Sequence, residues 1–505
     1  MIGGRCLLAH DLGTSGNKAA LFSEDGFLLG SCTVPYPVHY SRGGVYAEQN
    51  PEDWWHAVCK STKLLLEKTG CLQAQICAVS FSGQMMGCLC LDREGKPIRP
   101  AIIWADRRAK AQEEALRRIV SDEAYYGIVG HPNSASYGLH KLLWLRDQEP
   151  EVYGRTDRVL GAKDYIVYRL TGKAVTDCSD ANSFGFYDLK KSDWSDVLLD
   201  AMGLTREKLP PVLASSTLVG GVTGEASEAC GLLAGTPVVL GAGDGAAANV
   251  GAGSVRPGTA YCCLGTSAWI ASTSDEPLLD PQRRTVTWAH MVPGLYAPNG
   301  TMQAACASYA WLRRALFEPG DDGAVYENMN ALAAESPRGA GGVLFLPYLL
   351  GERAPRWDPH ASGCFVGLTP ETSRGDLIRA VMEGVAMNLA LILDVLRSRT
   401  PVERLNLIGG GARSTAWQQI LADVTGMALR IPSALEEAGS IGAAVNAGVG
   451  VGLYADYDAV DRFLRFSARV PAAEDAGAVY GPIRQRFETA YRALHPFFRE
   501  ASEEP

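Results

Sequence analysis

Residues 7–22 read LLAHDLGTSGNKAALF, and residues 261–272 read YCCLGTSAWIAS. The tetrapeptide LGTS stands in both, at 12–15 and at 264–267, each time between apolar runs. Apolar flanks around a Gly-Thr-Ser centre predict strand, tight turn, strand. The two copies lie 252 positions apart, about half the chain. That spacing predicts an internal duplication, with two α/β domains of related plan facing each other across a cleft.

The rest of the chain fits that frame. After the first hairpin, GFLLGSCTVPYPV continues a β-meander. NPEDWWHAVCKSTKLLLEKTG predicts a helix opened at Asn50 or Pro51, with Glu52 and Asp53 at its positive end and Gly70 as its stop. QICAVSFSGQ reads as a buried strand, and TPVVLGAGDGAAANVGAG as a strand running into a helix of small residues. In the second half RGDLIRAVMEGVAMNLALILDVLRS predicts a long helix. RLNLIGGG and STAWQQILADVTG predict strand, triple glycine and helix. The small-residue stretch GSIGAAVNAGVG reads as tight helix packing rather than ligand contact.

Composition narrows the function. A chain of 505 residues, 47% apolar and 20% charged, is expected to fold as more than one globular unit. A net charge of −9 without a basic cluster argues against nucleic acid as a partner. Thirteen cysteines without CxxC spacing, and eight dispersed histidines, predict reduced thiols and no zinc site. No leader and no apolar run long enough to span a bilayer is apparent, so a soluble cytoplasmic protein away from membranes is expected. Neither a P-loop nor a strand-borne GxGxxG is present.

The chemistry is read from the turns. A Gly-Thr-Ser tip offers backbone N–H groups and hydroxyls to phosphate oxygens, with Gly13 and Gly265 allowing close approach. Two tips, one per domain, can clamp a polyphosphate, although a plain hairpin turn is the blander reading of either. Asp11 precedes the first tip, where a carboxylate beside phosphate is repulsive unless a cation intervenes. Mg²⁺, held by Asp11 through water, fits that need, whereas the second copy has Cys263 at the matching place. Asp244, set among glycines where a helix begins, is the candidate base. The helix N-terminus is expected to keep it ionised at neutral pH, ready to take a hydroxyl proton. An N-cap role is the alternative. Gly409, Gly410 and Gly411 leave a flat surface suited to an adenine ring or ribose.

These ordered motifs resemble the FGGY family of carbohydrate kinases, and within it the xylulokinases, nearly end to end. DLGTSGNKAALF is similar to the family's first phosphate motif, and HKLLWLRDQEP to its first signature, with Gly138 where Pro, Ser or Thr is usual. GCFVGLTPETSRGDLIRAVMEG fits the second signature, and GGGARSTAWQQILADVTG resembles the adenosine motif. The resemblance implies an actin- and hexokinase-like (ribonuclease H-like) fold divided at 1–246 and 247–505. It implies ATP-dependent, Mg²⁺-assisted phosphorylation of a sugar hydroxyl, and a homodimer is compatible with it. Carried over by position, Asp244 is the general base and Asp11 serves Mg²⁺ and the phosphates. Thr14, Ser15 and Thr266 contact phosphate, with Gly265 in the second turn, and Lys18 reaches toward the γ-phosphate. Gly410, Gly411 and Ala412 line the nucleotide site. Gln84, Met85, Met86, Trp104 and Asp106 lie near the sugar.

Three departures bear on the substrate. Met86 stands where xylulokinases read His, Gly245 where they read Asn, and Ala105 where they often read Asn. Each removes a group able to read a hydroxyl. A ketopentose such as D-xylulose is the first expectation and gluconate or a related polyol the second. A non-catalytic actin-like ATP-binding protein is the reading from another class.

Overall fold

The computed structural model describes residues 4–318 and 320–502. Both LGTS turns are hairpin tips. Strand Cys6–Leu12 pairs antiparallel with Gly16–Ser23, placing Asp11 opposite Lys18. Strand Thr259–Leu264 pairs antiparallel with Ala268–Ser272, placing Leu264 opposite Ala268.

Each hairpin nucleates a seven-stranded sheet, and the two sheets share one plan. In the first, Leu28–Pro35 extends the hairpin antiparallel, and Cys6–Leu12 runs parallel to Ile76–Gly83. Pro237–Val239 follows parallel and Leu218–Gly221 antiparallel. In the second, Tyr296–Met302 extends the hairpin antiparallel, and Thr259–Leu264 runs parallel to Arg404–Ile408. Leu429–Pro432 follows parallel and Phe466–Val470 antiparallel. The same sequence of strand senses in both sheets is the duplication anticipated from the repeated tetrapeptide.

Helices cover the sheets. Helix Pro51–Thr69 begins where Asn50 accepts from the Glu52 N–H and ends at Gly70, whose φ of 65° is the left-handed geometry that glycine adopts without strain. Helix Arg374–Arg397 buries most of its length in the core of the second sheet.

Two small-residue helices join the halves. Asp244–Gly251 crosses Ala438–Gly450 so closely that a Cβ at Gly251 would lie 1.8 Å from the Ala438 carbonyl oxygen. A Cβ at Gly442 would lie 2.0 Å from that of Ala247. The second helix also packs on Cys6–Leu12 and Ile76–Gly83 of the first sheet. Its alanines and glycines therefore serve packing, as their composition indicated. The helix Ala476–Ser502 carries Pro482 and Pro496, which hide its periodicity in the sequence. No helix among the described residues is long and apolar enough to cross a membrane.

Candidate active site

Asp244 is the first residue of helix Asp244–Gly251, directly after the short strand Ala242–Gly243. Its Oδ1 accepts from the Gly245 N–H at 2.7 Å, so the carboxylate partly caps its own helix. The residue is exposed, and Gly245 and Ala246 beside it line the cavity described below. The protein packed around the carboxyl, and then the charge on Asp11, push its pKa up to about 7. This corrects the expectation of a fully ionised group: desolvation and a like charge outweigh the helix terminus.

The backbone under Asp244 is anchored by a buried ionic cluster that the sequence reading missed. The Gly243 N–H donates to Ser179 Oγ at 2.9 Å, and Ser179 donates to Asp177 Oδ2 at 2.6 Å. Lys163 Nζ lies 2.5 Å from Asp164, 3.0 Å from Asp177 and 3.1 Å from Asp180, all buried. Burial and the neighbouring carboxylates hold the Asp180 carboxyl well above the usual carboxylate range despite the lysine.

Asp11 sits at the end of its strand, and Ser82 donates to its Oδ1 at 2.6 Å. A Cβ at Gly439 would lie 2.8 Å from Asp11 Oδ2, so only glycine lets the N-terminal turn of helix Ala438–Gly450 come this near. Asp11 and Asp244 stand close on one sheet, since Asp11 and Ala242 both pair with Ser82, and their like charges repel, which a divalent cation between them would relieve. No cluster of three or more metal-ligating side chains exists among the described residues. That sparse donor set suits Mg²⁺, which keeps most of its waters and takes phosphate oxygens.

The first hairpin tip is braced from three sides. Tyr36 Oη donates to the Gly13 carbonyl at 2.5 Å, Gln49 Nε2 to the Thr14 carbonyl at 2.7 Å, and Trp104 Nε1 to Thr14 Oγ1 at 2.8 Å. Ser15 is exposed beside them. Lys18 is held elsewhere: its Nζ donates to the Glu436 carbonyl and to Glu437, each at 3.2 Å. Reaching a phosphate requires it to leave that ion pair.

At the second tip Thr266 is exposed, and its carbonyl accepts from the N–H groups of Ala305 and Ala307 at 3.0 Å each. Gly409, with φ of 90°, rests on the Leu264 backbone, so the triple glycine abuts this tip. Gly410 is exposed, and a Cβ at Gly411 would meet Leu264 at 2.6 Å. Ala412 is buried, and its carbonyl accepts from Gln418. The following helix N-terminus is capped by Ser414 itself.

A cavity of about 680 Å³ adjoins Asp244, with Gly245, Ala246 and Asn249 in its wall. Met85, Met86 and Trp104 line it, together with Trp269, Trp288 and Trp357. Met86 has φ of 65°, strained for a side-chain-bearing residue. The Met86 N–H donates to Ser183 Oγ at 3.0 Å. The buried Lys141 ammonium donates to the Met86 carbonyl at 2.7 Å and to that of Ser136 at 2.6 Å.

Two residues assigned to the sugar side do not line this cavity. Asp106 is sealed in the interior, where it accepts from the Ala47 N–H at 2.7 Å and from Arg108 on both oxygens. It shapes the wall by fixing Arg108. Gln84 is buried at the strand end and donates to Gln49 Oε1 at 2.8 Å, supporting the bracket under Thr14. The sequence reading also passed over Asn133, Asn249 and Arg353, all in the cavity wall. Asn249 carried a signal, as the one amide in an otherwise small and apolar helix.

Comparison with known proteins agrees with this geometry. The N-terminal domain model of the FGGY family of carbohydrate kinases matches residues 6–251, and its C-terminal domain model matches residues 260–451. The chain is 33% identical to a xylulose kinase of Escherichia coli (strain K12), covering 96% of this chain and 98% of that one. It is 30% identical to a gluconokinase of Bacillus subtilis (strain 168), covering 97% and 96%. The crystal structure of a xylulose kinase from Rhodospirillum rubrum superimposes with a TM-score of 0.91 at 32% identity, covering 98% and 100%. With both domain models in order and relatives matched over almost their full length, the chain belongs to the FGGY family of carbohydrate kinases.

Proposed function

We propose that this sugar kinase transfers the γ-phosphoryl group of ATP to a hydroxyl of a small ketopentose, D-xylulose first, giving xylulose 5-phosphate, and that it does so in the cytoplasm. The observation that carries the reading is the Asp11–Asp244 pair beside a cavity large enough for a sugar, with a hairpin tip of each sheet at the cleft.

The acceptor hydroxyl gives its proton to Asp244 while its oxygen forms a bond to the γ-phosphorus. The bond from that phosphorus to the bridging oxygen breaks, and ADP leaves. A carboxylate with a pKa near 7 is well matched to this task, because a base works best when poised near the operating pH. The tips at Thr14–Ser15 and Gly265–Thr266 grip the phosphates, and Gly410, Gly411 and Ala412 carry the nucleoside. Lys18 joins the γ-phosphate after leaving Glu437. Asp11 is the residue that would hold Mg²⁺, which would supply charge neutralisation at the phosphate oxygens.

One observation favours the second reading, an aldonic acid such as gluconate: Arg353, a cation acted on by the charge of its neighbour Glu352, lines the cavity. Measuring ATP turnover with D-xylulose, D-gluconate and neutral polyols separates the two. Preference for D-xylulose supports the first reading. Preference for D-gluconate that is lost in Arg353→Met supports the second, and sugar-independent turnover contradicts both.

A further inference from the structure

Two amide side chains in the cavity wall each carry an oxygen with nothing to bond. Asn249 is 3% exposed and Asn133 is 8% exposed, and both line the same cavity. The Oδ1 of each is buried without a hydrogen-bond partner. For Asn133 the amide nitrogen is spent, donating to the Glu113 carbonyl at 2.9 Å, which fixes which end of the amide is free. Native proteins seldom leave buried carbonyl oxygens unpaired, because each such group forfeits its hydration without compensation. Two of them in one cavity point to a ligand that brings hydroxyl donors.

We infer that Asn249 and Asn133 are specificity-determining residues, each accepting a hydrogen bond from a different hydroxyl of the acceptor substrate. This rests on the sugar-kinase reading and adds to it the groups that recognise the sugar. Asn249 stands five residues after Asp244 on one helix, an axial rise of about 7.5 Å. Gly245, next to Asp244 and one turn before Asn249, lines the same cavity, so a five- or six-carbon chain along that face runs from beside Asp244 to Asn249. Positions 86 and 245, at the near side of the same cavity, carry Met and Gly and offer no polar side chain. Among the polar side chains of this wall, Asn249 and Asn133 are two whose amide oxygens are left without a partner. An amide oxygen left empty by an analogue lacking the hydroxyl is the arrangement that discriminates most sharply.

The test crosses side-chain and substrate deletions. The better acceptor of D-xylulose and D-gluconate, and its monodeoxy derivatives, are assayed with wild type, Asn249→Ala and Asn133→Ala. Wild type is expected to lose about 10- to 100-fold in kcat/KM on the one derivative lacking the hydroxyl that Asn249 reads. Asn249→Ala should lose a similar factor on the parent sugar and nothing further on that derivative. Asn133→Ala should repeat the pattern on a different derivative. If each variant loses the same factor on every derivative, or turns over the parent as wild type does, the inference is overturned. Should Asn249→Ala fail to fold by circular dichroism, Asn249→Ser, judged by the same crossing, decides its half. If neither sugar stimulates wild-type turnover, the proposed substrates and this inference fall together. If turnover is present without the crossing, only the inference falls.

Discussion

The indole N–H of Trp104 donates to Thr14 Oγ1 at 2.8 Å, joining the wall of the cavity beside Asp244 to the tip of the first hairpin. One side chain thus touches both the proposed sugar site and the proposed phosphate site. Trp104→Phe keeps an aromatic wall and deletes the bond. A neutral hydrogen bond of this kind contributes roughly 0.5–1.5 kcal/mol, so a rise of about 2- to 10-fold in the KM for ATP is expected. Steady-state kinetics at saturating sugar check this; an unchanged KM for ATP would show that the bond does not steady the hairpin.

The carboxyl of Asp244, raised to about 7, should set the acid limb of the pH profile. Below that pH the group is protonated and cannot accept the hydroxyl proton, so kcat/KM falls with acidity. Desolvation is the main cause of the rise and the charge on Asp11 the second. Asp11→Asn removes that repulsion, and the limb of its residual activity should move to lower pH. A limb that stays in place would assign it to another group.

Lys163 is buried among Asp164, Asp177 and Asp180, with Ser179 linking the cluster to the Gly243 N–H. Lys163→Met leaves buried carboxylates without their cation. Chemical denaturation should report a loss of about 3–5 kcal/mol, the usual cost of breaking a buried pair from one side. A loss below about 1 kcal/mol would mean the carboxylates are neutral and need no lysine.

The crossing of Asp244–Gly251 with Ala438–Gly450 admits no side chain at Gly442, where a Cβ would stand 2.0 Å from the Ala247 carbonyl oxygen. Gly442→Ala should lower stability by about 1–3 kcal/mol, since overpacking forces the backbone to shift. Activity should fall with it, because the displaced helix carries Asp244. Thermal denaturation and turnover of the variant check both; full stability would contradict the tight crossing.

The duplicated plan was legible in LGTS because a turn tetrapeptide between apolar strands leaves a local mark at each copy. Asp244 was legible as a carboxylate among glycines at a helix start. Its raised pKa was not, since that depends first on the protein packed around the carboxyl and then on Asp11, more than two hundred residues away in the chain and adjacent only in the fold. Asp106 was misplaced for a related reason. The sequence shows a carboxylate beside Trp104, but only the packing shows that Ala47 and Arg108 occupy it. Lys18 faces the first tip in the strand register, yet Glu437, which holds it, comes from the other end of the chain. Asn249 showed in the sequence only as an amide in a helix of small residues and Asn133 gave no pattern, because an unpaired oxygen becomes visible only once every neighbour is placed.

The central claim is that Asp244 takes the proton of the sugar hydroxyl, and Asp244→Asn tests it most directly. The change keeps size and helix-capping ability and removes the base. With circular dichroism and ATP binding unchanged, sugar-dependent formation of ADP at neutral pH should fall by about 10²- to 10⁴-fold, the share that a positioned general base supplies. Turnover within a few-fold of wild type would contradict the account.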